Sequence, residues 1–510
     1  MRQKENAIVN TKSGKLQGTQ EDGLYVFRGI PYAAPPVGKL RWQPPQRVKR
    51  WTGIRPAEKF GPIAPQDATP MTAIPGRKSS EEPQSEDCLF LNVWTPAADD
   101  SKRAVMVWIH GGAFNRGSGS SPMHPAGTLA KRGGVVVVTI NYRLGPLGFL
   151  PLKQLTNGKI PASGNEALLD QIAALSWVHE NISAFGGDPD NVTVFGESAG
   201  AMSIGALLTM PEAKGLFRKV ILQSGASTFR PLEHAILVAE KFIGILGLKG
   251  SDVEALRALT PAQLINAQRE LGLAGAPPGV RGANLEPVVD GETLREVPLD
   301  GIEHGSARNI TVLAGSNLEE GKLFAIAIPN ITGMDEAGLK QRLQRLLPEQ
   351  YIPGLIEKYR KALAKRDLPV TPYEIYVAIQ GDQQFRMPNI RLCEIQERLG
   401  TPSYGYVFTW KSAAPGFGAC HALDVGFVFD NLTPEFNGSG PEAEKLSHNM
   451  QDAWIAFAKT GNPSCSSLGT WAPYGKSRKM MVLSQHCRLE TAPYEEERAA
   501  WDGVPNKLLG

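Results

Sequence analysis

The segment with the clearest chemical potential is a serine flanked by glycines, Gly196-Glu197-Ser198-Ala199-Gly200. It follows the apolar run Val192–Phe195, so the pattern Gly-x-Ser-x-Gly falls where a strand would turn sharply into a helix. The small residues two before and two after the serine let strand and helix approach, and the strained turn makes the hydroxyl project over the sheet. An ordinary glycine-rich turn with a solvated serine is the alternative. The strand–turn–helix context favours Ser198 as a nucleophile.

A second glycine-rich segment, His110-Gly111-Gly112-Ala113-Phe114, follows the apolar run Val105–Ile109. A His-Gly-Gly run after an early strand is typical of loops whose backbone N–H groups bind a developing oxyanion. Glycine suits such a loop because no Cβ blocks the approach of the substrate. The N–H of Ala199, at the expected helix N-terminus, would face the same charge. A plain turn is the alternative, but the position upstream of Ser198 favours an oxyanion loop.

A serine hydroxyl reacts when a base takes its proton and an acid orients that base. In proteins with this kind of turn the chain order is serine, acid, histidine. Seven of the eight histidines are poorly placed, because they precede Ser198 or the last core strands, lie on a predicted amphipathic helix or fall near the C-terminus: His110, His124, His179, His234, His304, His448 and His486. His421 ends the glycine-rich segment Gly416–His421, just beyond the strand-like run Tyr404–Trp410. It is the only histidine placed like the base.

The acid should follow the apolar run Ile310–Ala314, where the loop contains two adjacent glutamates, Glu319 and Glu320, before Gly321. Spacing alone cannot choose between them, and at least one must be an ordinary solvated carboxylate. Gly321 is expected to supply backbone angles that the turn needs and that a glutamate cannot take.

Short, β-branched apolar runs predict the buried strands that would carry these loops. The runs are Val105–Ile109, Val135–Asn141, Val192–Phe195, Lys219–Gln223, Ile310–Ala314 and Tyr404–Trp410. Amphipathic patterns over Gly164–Phe185 and Glu444–Lys459 predict helices between or after them. Strands that alternate with helices indicate an α/β protein, with a central, mostly parallel twisted sheet flanked by helices on both faces. Ligands bind such sheets beyond the carboxyl ends of the strands, which is where all the loops above fall.

Composition narrows the range of partners. The 510 residues include 54 basic and 51 acidic side chains, a net charge of +3, which offers no electrostatic case for binding nucleic acid or an anionic membrane. No apolar run reaches the length of a membrane span, and the first residues lack a secretory h-region. Five scattered cysteines favour a reducing cytoplasm over disulfides or a zinc site. We expect one catalytic domain over residues 1–510, no metal and no organic cofactor, and the oligomeric state stays open.

Beyond these motifs, the sequence resembles the type-B carboxylesterase/lipase family nearly end to end, and most of all its bacterial para-nitrobenzyl esterases. The matching segments, besides the serine and His-Gly-Gly motifs, are Phe27–Ala33, Pro35–Gly38, Ser85–Asn92, Asn141–Gly145, Ala167–Trp177 and Phe185–Pro189. The resemblance implies the α/β-hydrolase fold and a serine carboxylesterase that acts on small-molecule esters, with short to medium acyl or aryl groups, through an acyl-enzyme.

The resemblance also implies roles for individual residues. It assigns Ser198, Glu320 and His421 as the catalytic triad, because the family acid directly precedes glycine. It assigns Gly111, Gly112 and Ala199 as the oxyanion hole. Supporting positions and structural ion pairs match as well: Glu197, Ser224, Arg41 with Glu86, and Arg143 with Asp170. Phe114, Leu323 and Phe324 adjoin these residues and are candidates for the substrate pocket, although each could equally belong to the core.

Departures from the family pattern refine the interpretation. Secreted relatives pair the cysteine equivalent to Cys88 with one upstream, but Pro62–Gln66 contains none, so Cys88 should be a free buried thiol. Residues 64–88 lack the tryptophan that cholinesterases use for choline, and Asp424 replaces a family glutamate three residues after the base. The polar second half of the loop Ala64–Asp87 favours an esterase over an interfacial lipase. A catalytically inactive binding protein and an amidase or carbamate hydrolase are the rival functions.

Overall fold

A mixed sheet of eleven strands forms the centre of the protein in the computed structural model, which describes residues 7–67, 74–76 and 82–510. The strands within these residues are β1 (Ile8–Thr11), β2 (Gly14–Gln17), β3 (Thr19–Glu21), β4 (Leu24–Pro31), β5 (Ile54–Pro56), β6 (Phe90–Thr95), β7 (Arg103–Ile109), β8 (Val136–Ile140), β9 (Gly187–Glu197), β10 (Lys219–Gln223), β11 (Arg230–Pro231), β12 (Val288–Val289), β13 (Thr311–Asn317), β14 (Ser403–Phe408), β15 (Lys479–Leu483) and β16 (Arg488–Thr491).

The order across the large sheet is β16-β15-β14-β13-β10-β9-β7-β8-β6-β4-β3. Neighbouring strands run parallel from β15 to β8 and antiparallel at both edges. Strands β1, β2 and β5 form a separate small sheet, and β11 pairs with β12. The predicted central, mostly parallel sheet is confirmed.

Helices surround the large sheet. Those within the described residues are α1 (Ala126–Gly133), α2 (Glu166–Asn181), α3 (Ala199–Leu207), α4 (Leu232–Ile245), α5 (Val253–Ala258), α6 (Pro261–Ala274), α7 (Pro298–Glu303), α8 (Lys322–Ala325), α9 (Glu336–Leu343), α10 (Ile352–Lys365), α11 (Pro372–Gly381), α12 (Met387–Arg398), α13 (Val425–Val428), α14 (Pro434–Asn437), α15 (Pro441–Thr460) and α16 (Glu495–Ala499). A π-helical turn, Asp382–Arg386, joins α11 to α12. No helix of the described residues is long and apolar enough to cross a membrane.

The side chains of β7 divide between the two faces of the sheet. Val105, Val107 and Ile109 pack into one hydrophobic cluster, whereas Met106 and Trp108 pack into the other. Because successive side chains of a strand point to opposite faces, a strand buried on both faces has a continuous apolar sequence. The sheet therefore has a core on each side, as the apolar runs predict.

The predicted strands and helices differ from the observed ones mainly at their ends. The run predicted over Ile310–Ala314 continues as β13 to Asn317, so the strand reaches the loop that carries the two glutamates. The helix predicted over Gly164–Phe185 begins at Glu166 and ends at Asn181. A short 3₁₀ helix follows and stops at Gly186, whose φ of 77° is left-handed. Apolar periodicity alone does not mark this change from α to 3₁₀ geometry.

Two buried ion pairs hold the loops beside the sheet. Arg143 and Asp170 form a bidentate pair, with both N···O distances at 2.7 Å and side chains only 2% and 0% exposed. Arg41 donates two hydrogen bonds to Glu86, of which the Nε–Oε2 bond is 2.6 Å. Both pairs expected from the family resemblance are present. Cys88 is fully buried and unpaired, as expected.

Candidate active site

Ser198 lies at the turn between β9 and α3, with φ of 54° and ψ of −125°. A positive φ is strained for any residue with a Cβ. The flanking glycines explain how the turn closes. A Cβ on Gly196 or Gly200 would lie 2.7 Å or 2.0 Å from the carbonyl oxygen of Ile109. The strand-to-helix turn inferred from the sequence is present, and only glycine fits two residues before and two residues after Ser198.

The His110–Gly112 segment lies directly against this turn. A Cβ on Gly111 would lie 3.1 Å from the Cβ of Ser198, and one on Gly112, where φ is 112°, would lie 2.3 Å from the carbonyl oxygen of Arg116. Both glycines are therefore required by close backbone approach. Ala199 is the first residue of α3, so its N–H has no partner within the helix. The structure brings all three predicted oxyanion donors to one end of the parallel strands.

His110 and Tyr142 fix the start of this loop, a role that the sequence motifs do not reveal. The Tyr142 hydroxyl donates to the carbonyl oxygen of His110 at 2.6 Å, and the two rings stack with centroids 4.4 Å apart. Burial lowers the pKa of His110 to about 4, so its imidazole is neutral near pH 7. A neutral ring adds no charge beside Ser198.

His421 is buried against the second of the two adjacent glutamates. Its Nδ1 lies 2.7 Å from Oε2 of Glu320, and Oε1 of Glu320 accepts the N–H of Asn317 at 2.7 Å. The Glu319 carboxylate turns away from the imidazole, accepts the N–H of Ala419 at 2.9 Å and pairs with Lys322. Spacing could not choose between Glu319 and Glu320, but the structure distinguishes them, because of these two glutamates only Glu320 contacts His421.

Gly321 serves a different purpose from the one expected. Its φ of −62° and ψ of −20° are right-handed helical angles that any residue can adopt. The expectation that glycine supplies special backbone angles is wrong. A Cβ there would lie 2.4 Å from the carbonyl oxygen of Val377 in α11, so glycine is needed for close packing against that helix.

A second carboxylate faces the other nitrogen of His421. Oε1 of Glu197 lies 3.1 Å from Nε2, and both side chains are less than a tenth exposed. Burial lowers the pKa of His421, but the charges of Glu197 and Glu320 outweigh it and raise the pKa to about 9. The charge of Asp424 raises the pKa of His421 less than those of Glu197 and Glu320 do, and its carboxylate accepts hydrogen bonds from Gln223 and Tyr406.

Two phenylalanines enclose the imidazole. The Phe385 ring centroid lies 4.4 Å from that of His421, and the Phe324 centroid lies 5.1 Å away. Phe385 comes from the π-helical turn, and such turns often occur at functional sites. Sequence reasoning missed Phe385, because the π-helical turn lies within a continuous helical pattern and has no signal of its own.

The three candidate pocket residues lie in different environments. Phe324 is 37% exposed beside the imidazole. Phe114 packs edge-on against Phe149, and Leu323 belongs to the second core cluster, with both side chains buried. Of the three, only Phe324 is brought next to a predicted catalytic residue. The loop argument against a lipase rests on Arg77–Glu82, which lies outside the described residues apart from Glu82.

Known proteins are similar to this chain in sequence and in structure over nearly its whole length. A model of the carboxylesterase family matches residues 5–501. The para-nitrobenzyl esterase of Bacillus subtilis is 39% identical over 497 residues, which cover 96% of this chain and 97% of that protein. The phenmedipham hydrolase of Pseudarthrobacter oxydans is 34% identical, with 92% of each chain covered.

Solved structures agree with these sequence matches. A crystal structure of a Geobacillus stearothermophilus carboxylesterase superposes with a TM-score of 0.87 at 40% identity, covering 97% of this chain and 99% of that one. A para-nitrobenzyl esterase structure gives a TM-score of 0.84 at 40% identity, with the same shares of both chains covered. The chain therefore belongs to the carboxylesterase family, has the α/β-hydrolase fold and is a serine hydrolase of carboxylic esters.

Proposed function

We propose that Ser198 is the nucleophile of this esterase, that His421 is its general base and that Glu320 orients and stabilises the imidazole. The observation that carries this proposal is the buried 2.7 Å contact between His421 Nδ1 and Glu320 Oε2, on an imidazole whose Nε2 lies 3.1 Å from Glu197, the residue before Ser198. With its proton held on Nδ1 by a carboxylate, the imidazole presents Nε2 as an acceptor for the serine proton.

The reaction would proceed by two acyl transfers. Ser198 Oγ attacks the ester carbonyl while His421 Nε2 takes its proton, and the N–H groups of Gly111, Gly112 and Ala199 bind the resulting oxyanion. The imidazolium returns the proton to the leaving alkoxide, and an acyl-enzyme remains. Water then attacks the acyl carbon with His421 again as the base, which releases the acid and regenerates the serine.

Glu197 would tune the acid–base step. Its carboxylate lies 3.1 Å from Nε2, the nitrogen that must accept the proton. A negative charge there stabilises the imidazolium formed during attack, but it also favours the protonated base before the reaction. Because a protonated imidazole cannot accept a proton, activity should fall as the pH drops through the raised pKa of His421.

We propose small carboxylic esters as substrates, with short to medium acyl or aryl groups, because relatives across the whole chain include a para-nitrobenzyl esterase. The same residues could hydrolyse amides or carbamates, so matched ester and amide substrates must be compared. We also propose one catalytic domain and a cytoplasmic location. The single domain is supported by one large sheet whose strands range from Thr19–Glu21 to Arg488–Thr491 along the chain. The cytoplasmic location is supported by Cys88, which is a free, buried thiol.

The proposal is tested by labelling and substitution of the nucleophile. An organophosphate should abolish hydrolysis of p-nitrophenyl esters and add one mass label, on the peptide that contains Ser198. Ser198→Ala should lose activity by several orders of magnitude, whereas the exposed control Ser251→Ala should not change it. A label on another peptide, or an active Ser198→Ala enzyme, would refute the assignment. A correctly folded wild-type protein with no hydrolytic activity would favour the binding-protein alternative.

A further inference from the structure

A cavity of about 770 Å³ lies beside the first turn of α4. Half-buried apolar side chains form part of its wall: Phe229, Leu232, Val289, Val297 and Leu346. Four positively charged and two negatively charged side chains also line the cavity: Arg230, Arg281, Arg345, Lys507, Glu233 and Glu286. Walls of this composition suit a ligand with an apolar body and a negatively charged end.

Arg230 is an incompletely satisfied buried cation in this wall. Its side chain is 5% exposed, and its two terminal nitrogens donate to the carbonyl oxygens of Arg281 and Asn284 and to Glu286, the last at 2.7 Å. Its Nε is also buried and has no hydrogen-bond partner among the described residues. An unpaired buried donor of a charged group is costly, so its presence at a cavity indicates an absent acceptor.

The positive charge of the cavity is only partly neutralised by the protein. Burial raises the pKa of Glu286, and both Arg230 and Arg281 oppose that rise, so one carboxylate serves two guanidinium groups. The Arg281 side chain donates to the side-chain oxygen of Gln383 at 3.2 Å and to an oxygen of Gly510 at 2.9 Å. The exposed Arg345 forms no ion pair with any residue that the structure describes.

The N-terminus of α4 adds to this positive field. This 14-residue helix begins at Leu232 after Pro231, which supplies no side-chain cap. The first backbone N–H groups of a helix have no partner within it, and they form the positive end of the helix dipole. Residues 231–234 all line the cavity, so these donors lie in its wall.

Two residues of the cavity wall are close in sequence to residues of the candidate active site. Gln384 lines it and directly precedes Phe385, whose ring packs on His421. Thr228, also in the wall, lies five residues after Gln223, whose carbonyl oxygen accepts the N–H of Ser198 at 2.9 Å. The π-helical turn and the segment that follows β10 therefore contribute residues both to the cavity wall and to the surroundings of the candidate active site.

From these observations we infer that this cavity binds a carboxylate carried on an apolar chain, an inference that rests on the proposed function. Arginine fits carboxylates because its planar fork can donate two parallel hydrogen bonds. Ester hydrolysis supplies two sources of such a group. One is a second carboxylate at the far end of the substrate's acyl chain, and the other is the free acid that the reaction releases.

The test uses the full-length enzyme, the variants Arg281→Gln and Arg345→Gln, and Arg269→Gln as an exposed control on α6. One measurement compares kcat/KM for monoethyl adipate with that for ethyl hexanoate, which lacks the second carboxylate. The other measures inhibition of p-nitrophenyl acetate hydrolysis by hexanoate. Unfolding midpoints show whether each variant is folded. Arg345 is exposed, so its substitution keeps the test usable if Arg281→Gln is unstable.

We expect the cavity variants to lower the ratio of kcat/KM for monoethyl adipate to that for ethyl hexanoate, or to weaken inhibition by hexanoate, by about five- to tenfold. This is the effect expected when a charge-assisted hydrogen bond is lost at a partly exposed site. The control should change neither. A change in preference alone identifies a carboxylate of the substrate, and a change in inhibition alone identifies the free acid. If both quantities stay within the error of wild type in both folded variants, the cavity is not a carboxylate site.

Failure of the proposed function would give a different result. Hydrolysis of both ethyl esters by Ser198→Ala at the wild-type rate would refute the nucleophile assignment whatever the cavity variants do. Hexanoate binding to Ser198→Ala, measured by calorimetry, needs no turnover. This binding measurement would still test the cavity, and loss of hexanoate binding in the double variant Ser198→Ala/Arg345→Gln would support the carboxylate site.

Discussion

Replacing Glu320 with glutamine should disable the enzyme, for reasons that its two hydrogen bonds make specific. Both carboxylate oxygens act as acceptors, one from His421 Nδ1 and one from the N–H of Asn317, each at 2.7 Å. A glutamine has one oxygen and one NH₂ group. If its oxygen faces the imidazole, its NH₂ opposes the N–H of Asn317; in the reverse orientation, the NH₂ forces the proton of His421 onto Nε2.

Either orientation impairs catalysis. The first leaves a buried donor unpaired, at a cost of about 1–3 kcal/mol, and removes the charge that stabilises the imidazolium. The second blocks Nε2 as an acceptor. The comparable acid-to-amide change in a serine protease lowers kcat by about 10⁴-fold. We expect a loss of at least about 10²-fold here, equivalent to about 2.7 kcal/mol in the activation free energy.

Glu319→Gln is the matched control, because Glu319 adjoins Glu320 but contacts Lys322 and the N–H of Ala419 instead of His421. A glutamine oxygen can still accept from Ala419, and a partly exposed ion pair contributes little. We expect kcat to change by no more than about threefold. Both variants are assayed on one p-nitrophenyl ester after their unfolding midpoints have been measured. If Glu319→Gln is the disabled variant, Glu320 is not the acid.

Three further substitutions test other parts of the structure. Glu197→Gln removes a charge that raises the pKa of His421, so the acidic limb of the kcat/KM profile against pH should move to lower pH; an unmoved limb would contradict the electrostatic argument. Asp170→Asn should lower the free energy of unfolding, measured by urea titration, by about 3–5 kcal/mol, because it leaves the buried Arg143 without its ion-pair partner. The exposed control Glu357→Gln should change that free energy by less than about 0.5 kcal/mol. Phe385→Leu should lower kcat by about tenfold with little change in the unfolding midpoint, because it loosens the packing that holds the imidazole; unchanged kcat would show that the ring is not needed for positioning.

The features that could be predicted from the sequence are those encoded by adjacent residues. Gly196 and Gly200 mark the turn at Ser198 because both fall within one five-residue motif, although the nearest atom that excludes a Cβ at either position is the carbonyl oxygen of Ile109. The strands were identifiable because they are buried on both faces and therefore continuously apolar. Strand β13 was longer than predicted because its last residues, Gly315–Asn317, are small or polar and do not extend the apolar run.

The features that were missed depend on residues far apart in the chain. Phe385 reaches His421 only because a π-helical turn redirects one helix, and the energetic difference between π and α turns has no simple sequence pattern. The purpose of Gly321 depends on Val377, 56 positions later, so a local argument assigned it the wrong reason. The choice between the two adjacent glutamates likewise depended on tertiary packing, and only the family resemblance anticipated it.

The backbone at Ser198 has a consequence for which residue would be most stable at this position. With φ of 54° and ψ of −125°, position 198 has angles that glycine adopts freely and serine does not. Such strain costs on the order of 1–3 kcal/mol, a sizeable share of the stability of an ordinary domain. Folding alone would therefore favour glycine at this position. The presence of serine instead points, independently of any motif, to a use for the hydroxyl group.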